Sequence, residues 1–240
     1  MARHLIACLI AIAMSTLCSY AQLGYSGRQN YDGEHKNEVS GYIVGGHNSV
    51  TGTFVGPSLF YTRHFTERWD LQGAADIPIG KSRYGVFARG SYCWPFKWFN
   101  VYIAGKVMYN RYQSFKTNEY ASALTVSWES NYFRITIGQS LVSYNLLSTT
   151  YTEPLNPVLG LEANIRPRLH PWNIGLFIRN YDDFYFEHWN INWGINFNAR
   201  LTSKLPMRLF GEFNLRPAGS LSQLANKYET SLKVGLKYGF

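Results

Sequence analysis

From Trp189 to Leu201 the sequence reads Trp-Asn-Ile-Asn-Trp-Gly-Ile-Asn-Phe-Asn-Ala-Arg-Leu. On an extended chain, Trp189, Ile191, Trp193, Ile195, Phe197, Ala199 and Leu201 share one face. Asn190, Asn192, Gly194, Asn196, Asn198 and Arg200 share the other. A repeat of two is strand geometry. One such strand fits a soluble sandwich as well as a membrane wall. The pattern recurs, however, at 38–47, 51–64, 69–78, 84–94, 100–112, 120–129, 131–142, 157–167, 172–181, 189–201, 206–216 and 230–240. About twelve strands are predicted, with no competing helical periodicity.

The connections point to how those strands close. Long ones are expected at Tyr112–Tyr120, Ser143–Asn156, Asp182–His188 and Pro217–Glu229. Tight ones fall between them, at Phe65–Arg68, Pro95–Phe99, Ser130, Leu169–Pro171 and Thr202–Leu205. Only His47–Thr51 and Gly80–Arg83 break the alternation by being short. Alternating long loops and short turns, with an even strand number, describe an all-β fold, a transmembrane antiparallel β-barrel. Strands of roughly ten residues or more suit a tilted crossing of the hydrocarbon layer. Trp69, Trp94, Trp98, Trp128 and Trp172 lie near the tight turns, while Tyr84, Tyr109, Tyr120, Tyr181, Phe184 and Tyr185 crowd the opposite strand ends. These are two expected interfacial girdles.

Composition removes the alternatives. Aromatics make up 17% of the 240 residues and charged residues only 16%, against the grain of disorder. Mean hydropathy is −0.21, and the apolar run Leu5–Leu17 is too short for a spanning helix. That run follows the basic start Arg3-His4 and precedes Ser19-Tyr20-Ala21, the three-part order of a secretory signal peptide. The expected organisation is a signal peptide over 1–21, a periplasmic leader or small plug over 22–37, and a barrel over 38–240. Removing 1–21 takes away two of the three cysteines and leaves Cys93, expected in the lumen and inert.

Leu232, Val234, Leu236, Tyr238 and Phe240 alternate with Ser231, Lys233, Gly235, Lys237 and Gly239. This ending resembles the C-terminal assembly signal of Gram-negative outer-membrane β-barrel proteins. The resemblance implies insertion by the barrel-assembly machinery, with outer-membrane lipid as the surroundings, after the export through the general secretion pathway expected from residues 1–21. It implies nothing about chemistry.

Two strands read awkwardly. In the first, either Val39/Ile43 or Tyr42/Val44 could face lipid. In the second, Pro57 lacks a ladder donor and is expected at a bulge. Gln139 falls on the lipid face, for which a bulge at Gly138 is the expected reason.

Carried inward, the alternation places Arg89, Lys106, Arg134, Arg166, Arg179, Arg200, Arg208, Arg216, Lys233 and Lys237 in the lumen. Asp70, Asp76, Glu129, Glu162 and Glu212 face them. Five acids do not neutralise ten bases, so a partly wet, net positive lumen is expected, favouring anions. Arg200, Arg208, Lys233 and Lys237 are the expected source of that preference. A small porin-like passive channel is the first reading. A closed barrel, plugged by paired arginines and serving as a loop-mediated binding or assembly component, is the second.

Catalytic motifs are sparse. His47-Asn-Ser49 resembles the His-x-Ser of outer-membrane phospholipase A-like barrels, but without the surrounding block of that family. Asp182-Asp183 and Glu187-His188 bracket Phe184-Tyr185-Phe186, a pattern that could activate water at a barrel mouth, as in omptin-like proteases, or hold calcium by oxygen ligands. The simpler expectation for 182–188 is a solvated external loop. There is no HExxH, CxxC or Gly-rich phosphate loop, so no cofactor, metal or nucleic-acid partner is expected, and catalysis is only a remote reading.

Overall fold

A computed structural model describes residues 36–49, 52–77, 79, 83–112, 116–146, 149–167, 170–186, 191–202, 205–216 and 228–240. The expected signal peptide and residues 22–35 of the expected leader lie outside them. Twelve strands form the wall: β1 Asn37–Asn48, β2 Gly52–His64, β3 Trp69–Asp76, β4 Arg83–Pro95, β5 Asn100–Tyr112, β6 Thr117–Glu129, β7 Phe133–Leu146, β8 Thr149–Asn164, β9 Trp172–Arg179, β12 Asn192–Arg200, β13 Met207–Arg216 and β14 Glu229–Gly239. Two short strands, β10 Tyr181–Asp182 and β11 Tyr185–Phe186, form a separate hairpin. The wall is a closed antiparallel barrel in which sequence neighbours pair and β14 returns to β1.

The alternation is visible in the wall. Leu232, Val234, Leu236 and Tyr238 of β14 are exposed on the outer surface, while Ser231, Lys233 and Lys237 are buried inside. In β1 the choice falls to Val39/Ile43 outside and Tyr42/Val44 inside: Ile43 is 62% exposed, Tyr42 only 4%. Lipid solvates the outer aliphatic face, and the backbone groups that lipid cannot satisfy are paired strand to strand.

The turns close with local side chains. Thr66 Oγ1 accepts from the amides of Arg68 and Trp69, and Ser130 Oγ accepts from those of Tyr132 and Phe133. Trp69, Trp94, Trp98 and Trp172 ring this turn end on the outside. At the loop end two expected long connections prove to be strand. β5 runs to Tyr112 and β6 starts at Thr117, and 143–146 and 149–156 extend the β7–β8 hairpin. Ladder pairing at Ser143↔Thr152 and Tyr144↔Tyr151 outcompetes a loop. The length alternation thus rests on 180–191 and 217–228.

Neither expected bulge sits where it was placed. The β1–β2 register runs unbroken through Pro57. The Pro57 carbonyl accepts from Ile77 N–H at 3.1 Å. A strand residue presents its N–H and C=O to the same neighbour, so the missing donor faces Ile77 just past the end of β3; one bond is lost there, and the pairing resumes in the same register at Val55↔Ile79. The irregularity near Gly138 instead lies between Ser140 and Val142, opposite 153–156 of β8. There Leu155 adopts φ 59°, an uncommon conformation for a branched aliphatic residue.

Candidate functional site

The feature that governs the lumen begins where β9 stops. β9 has 8 residues and its neighbour β8 has 16, so the chain leaves the wall partway along β8. Asn180 makes the exit: its amide donates to the Leu159 carbonyl, its Oδ1 accepts from Leu159 N–H, and its Nδ2 donates to the Pro157 carbonyl. The chain then turns into the barrel. Tyr181 pairs with Phe186 and Asp182 with Tyr185, and Asp182 Oδ1 accepts from Asp183 N–H at 2.7 Å. Four of the six hairpin residues are aromatic, and each aromatic ring buries a large apolar area when it leaves water.

The wall is shaped for this insert. At Gly160 on β8 a Cβ would lie 2.6 Å from the Tyr181 hydroxyl, and at Gly85 on β4 one would lie 2.8 Å from the Phe184 ring. Both contacts are too close for any side chain, so the two glycines are notches. Phe184 packs against Phe60 and Phe87 at ring separations of 5.9 and 5.3 Å. Phe60 continues to Tyr42, and Tyr42 to Phe210. An apolar belt therefore crosses the interior at the level of the hairpin.

Charge locks the insert to the wall. Lys233 Nζ lies 2.6 Å from Asp182, 3.1 Å from Asp183 and 3.3 Å from Glu212. Arg179 bonds Glu212 at 2.7 Å and lies 3.5 Å from Asp182. The Tyr42 hydroxyl donates to Asp183 at 2.6 Å, Lys106 donates to the Asp183 carbonyl, and Asn110 Nδ2 donates to the Phe184 carbonyl at 2.7 Å. The Arg216 guanidinium covers the Tyr185 ring at 4.5 Å. Burial disfavours the ionised Asp182 carboxyl, but Lys233 and Arg179 outweigh it and hold that carboxyl well below the usual range. A void of about 20 Å³ remains beside Tyr42, Asp76, Asp183 and Lys233, room for about one water.

The expected solvated loop at 182–188 is therefore corrected over its described part. Residues 182–185 are buried in the lumen, and Tyr181, Phe184 and Tyr185 belong to no interfacial girdle. The signal was present in the sequence: Phe60, Phe87, Phe177 and Phe210 occupy inward phases. Apolar rings facing a polar lumen call for a cover.

The expected lumen residues divide. Arg89, Lys106, Arg134, Arg179, Arg216, Lys233, Lys237 and Glu212 are buried inside. Arg208 is half-buried near the turn end and donates to Asn198. Arg166 lies in the β8–β9 turn with its guanidinium 3.6 Å from the Trp172 ring centre, and Arg200 is exposed at the end of β12. Arg166 lies beyond the strands, whereas Arg200 is the last ladder residue of β12, paired with Arg208 and exposed at the turn-end rim instead of buried in the lumen. The expected acids were too few. Glu38, Glu119 and Glu229 on the wall and Asp182 and Asp183 on the hairpin are also buried. Among the described residues ten buried acids face seven buried Lys and Arg, 7 − 10 = −3, against the expected +5. Most bases have named partners: Arg134 bridges Glu129 and Glu162, Lys237 meets Glu38 at 3.0 Å, and Arg216 lies 3.7 Å from Glu229.

The catalytic candidates do not assemble. His47 is exposed with its ring 5.9 Å from that of Tyr228, and Ser49 Oγ accepts from Tyr228 N–H. Between them Asn48 turns inward to Glu229. Glu187 and His188 lie outside the described residues. Cys93 is buried on the inner face against Tyr102.

No protein-family model matches the chain, and no curated protein matches it in sequence. Solved structures do. A KdgM porin in complex with disordered oligogalacturonate aligns with a TM-score of 0.56 at 13% identity, over 84% of this chain and 99% of that one. Omp33 of Acinetobacter baumannii aligns at 0.49 and 13%, over 86% and 98%. Outer membrane phospholipase A of Escherichia coli aligns at 0.48 and 11%, over 83% and 92%. Closed twelve-strand wall, aliphatic exterior and aromatic rims together make this chain an outer-membrane β-barrel in fold.

Proposed function

We propose that the chain is a passive channel for small solutes in the outer membrane of a Gram-negative bacterium, shut by the 180–186 hairpin. In this reading residues 1–21 direct export and are removed, and Leu232, Val234, Leu236, Tyr238 and Phe240 serve barrel assembly. The carrying observation is the manner of closure: the insert lies outside the wall's ladder and is held by ion pairs and hydrogen bonds beside the packing of its rings. Apolar packing usually stabilises a permanently filled interior at least as well as buried ion pairs do. An interior that keeps seventeen buried acidic and basic groups, seven bases and ten acids, suits a path that becomes wet when the insert leaves.

The charge count replaces the expected anion preference. With the hairpin withdrawn, Asp182 and Asp183 go with it, leaving, among the described buried residues, seven bases against eight acids on the wall. Near-neutral walls discriminate little between ions. Oligogalacturonate, the ligand of the KdgM porin, is a polyanion, and such a wall offers it no excess positive charge. Uncharged or mixed-charge small solutes fit better.

Planar-bilayer recording tests this. The wild type should show rare openings, and removal of 181–186, or the milder pair Asp182→Asn with Asp183→Asn, should give sustained current of weak selectivity. Silence from folded, heat-modifiable protein of all three kinds would establish instead a closed barrel acting through its loops.

A further inference from the structure

Along β6 the outer face runs from the girdle residue Tyr120 through Ser122, Leu124 and Val126 to the girdle residue Trp128. Leu124, the midpoint, is the cross-strand partner of Gln139. Gln139 therefore sits at mid-height of the hydrocarbon band, exposed on the outer face, with no hydrogen-bond partner among the described residues. The register irregularity lies beyond it, so no bulge turns it inward. A primary amide facing acyl chains with nothing to bond is strongly penalised.

Beside it the wall is hollow. A groove of about 580 Å³ has Ala88, Gly90, Gly105 and Ser122 along its floor, with Leu124 and Leu155 at its sides. Gly90 and Gly105 are direct cross-strand partners, and nothing lies within 4 Å of where a Cβ would stand on either. Leu155, 66% exposed on the β8 bulge, stands up as a ridge next to this hollow. Elsewhere the outer wall is paved with Leu176, Ile195, Val234 and Leu236, a surface that lipid alone covers.

We propose that the β4–β8 wall is the two-fold interface of a homodimer, in which the Gln139 amides of two copies bond each other across the axis. An acyl chain fills a groove but gives an amide no partner. A second copy supplies both, because an amide is donor and acceptor at once and a two-fold brings the same patch to itself. With the axis at Gln139 on β7, the Leu155 ridge of each copy lies over the β5–β6 side of the other, where Gly105 and Ser122 leave room. Close approach over small residues and polar pairing are the forces that join proteins within lipid.

Disulfide trapping in native membranes tests the surface directly, independent of conduction. In a background with the other cysteines replaced by Ser, Gln139→Cys should yield a band of twice the mass, and Ile195→Cys on the opposite wall should stay monomeric. Monomers from both, or equal dimer from both, would overturn the proposal. In parallel, Gln139→Leu should leave the heat-modifiable fold intact and lower the dimer fraction about tenfold, the effect of losing a polar pair in lipid. An unchanged dimer fraction would equally overturn it.

Discussion

Two buried charge clusters lie in this barrel, alike in chemistry and different in what they join. Nearer the turn end, Arg134 of β7 stands between Glu129 of β6 and Glu162 of β8, its direct cross-strand partners on either side. All three residues belong to the wall. In the other cluster, Arg179, Glu212 and Lys233 on the wall meet Asp182 and Asp183 on an insert that the wall does not contain. The first cluster stitches three strands that hydrogen bonds already hold. The second ties to the wall a hairpin that lies outside its ladder. In the proposed channel an ion pair's role therefore follows from what it connects, and similar cation–carboxylate contacts are a brace in one place and a latch in the other.

Breaking each cluster separately tests that distinction. Lys233→Met removes the cation shared by three acids. Leaving buried charge unpaired costs about 3–5 kcal/mol, so the open fraction should rise a hundredfold or more in single-channel records, with the heat-modifiable shift retained. Arg134→Met should do the reverse, lowering the unfolding midpoint in denaturant by a penalty of about 3 kcal/mol while wild-type gating persists. Should Arg134→Met open the channel as far as Lys233→Met, the brace and the latch would be one network. Gly160→Val fills the Tyr181 notch, an overpacking of about 1–3 kcal/mol, and an intermediate rise in openings is expected. The smallest effect concerns pH. The docked Asp182 carboxyl is depressed below its ordinary value, so its contribution to docking is complete above the ordinary carboxylate range and is lost only as pH falls through the depressed value. Records between pH 8 and 5 should therefore show no Asp182-driven opening, and a steep opening within that window would assign the latch to another group.

How much of this was legible beforehand follows from what a period of two encodes. Alternation reports which face a side chain takes, so Lys233 and Arg134 read as inward from sequence alone. It does not report what stands opposite. Asp182 and Asp183 lie past the end of β9, in a stretch without strand phase, and their pairing with Lys233 spans about fifty residues. Glu38 was missed because β1 offered two faces of equal merit, and its partner Lys237 is near the other end of the chain. Arg166 lies past the last ladder residue of β8, where a turn removes the meaning of the pattern, and Arg200 keeps its strand pairing but stands at the open rim, where phase no longer implies burial. Inward Phe60, Phe87 and Phe210 were the readable sign of a cover, but only the folded hairpin shows which segment supplies it.

The closing seam has a kinetic meaning. Every other pair of wall neighbours is adjacent in sequence or separated only by the hairpin, so each can zip as a local event. The seam joins Asn37 to Phe240, with amide nitrogen to carbonyl oxygen distances of 2.9 and 2.8 Å in the two directions across a sequence separation of 203. Loop closure over such a span forms late, and until it does the sheet carries two live edges, each a template for a foreign strand. Closing the β1–β14 seam is therefore the step that turns an adhesive sheet into an inert wall. Deleting Phe240, which contributes to that seam, should act on the time the edges stay open more than on the strength of the finished barrel.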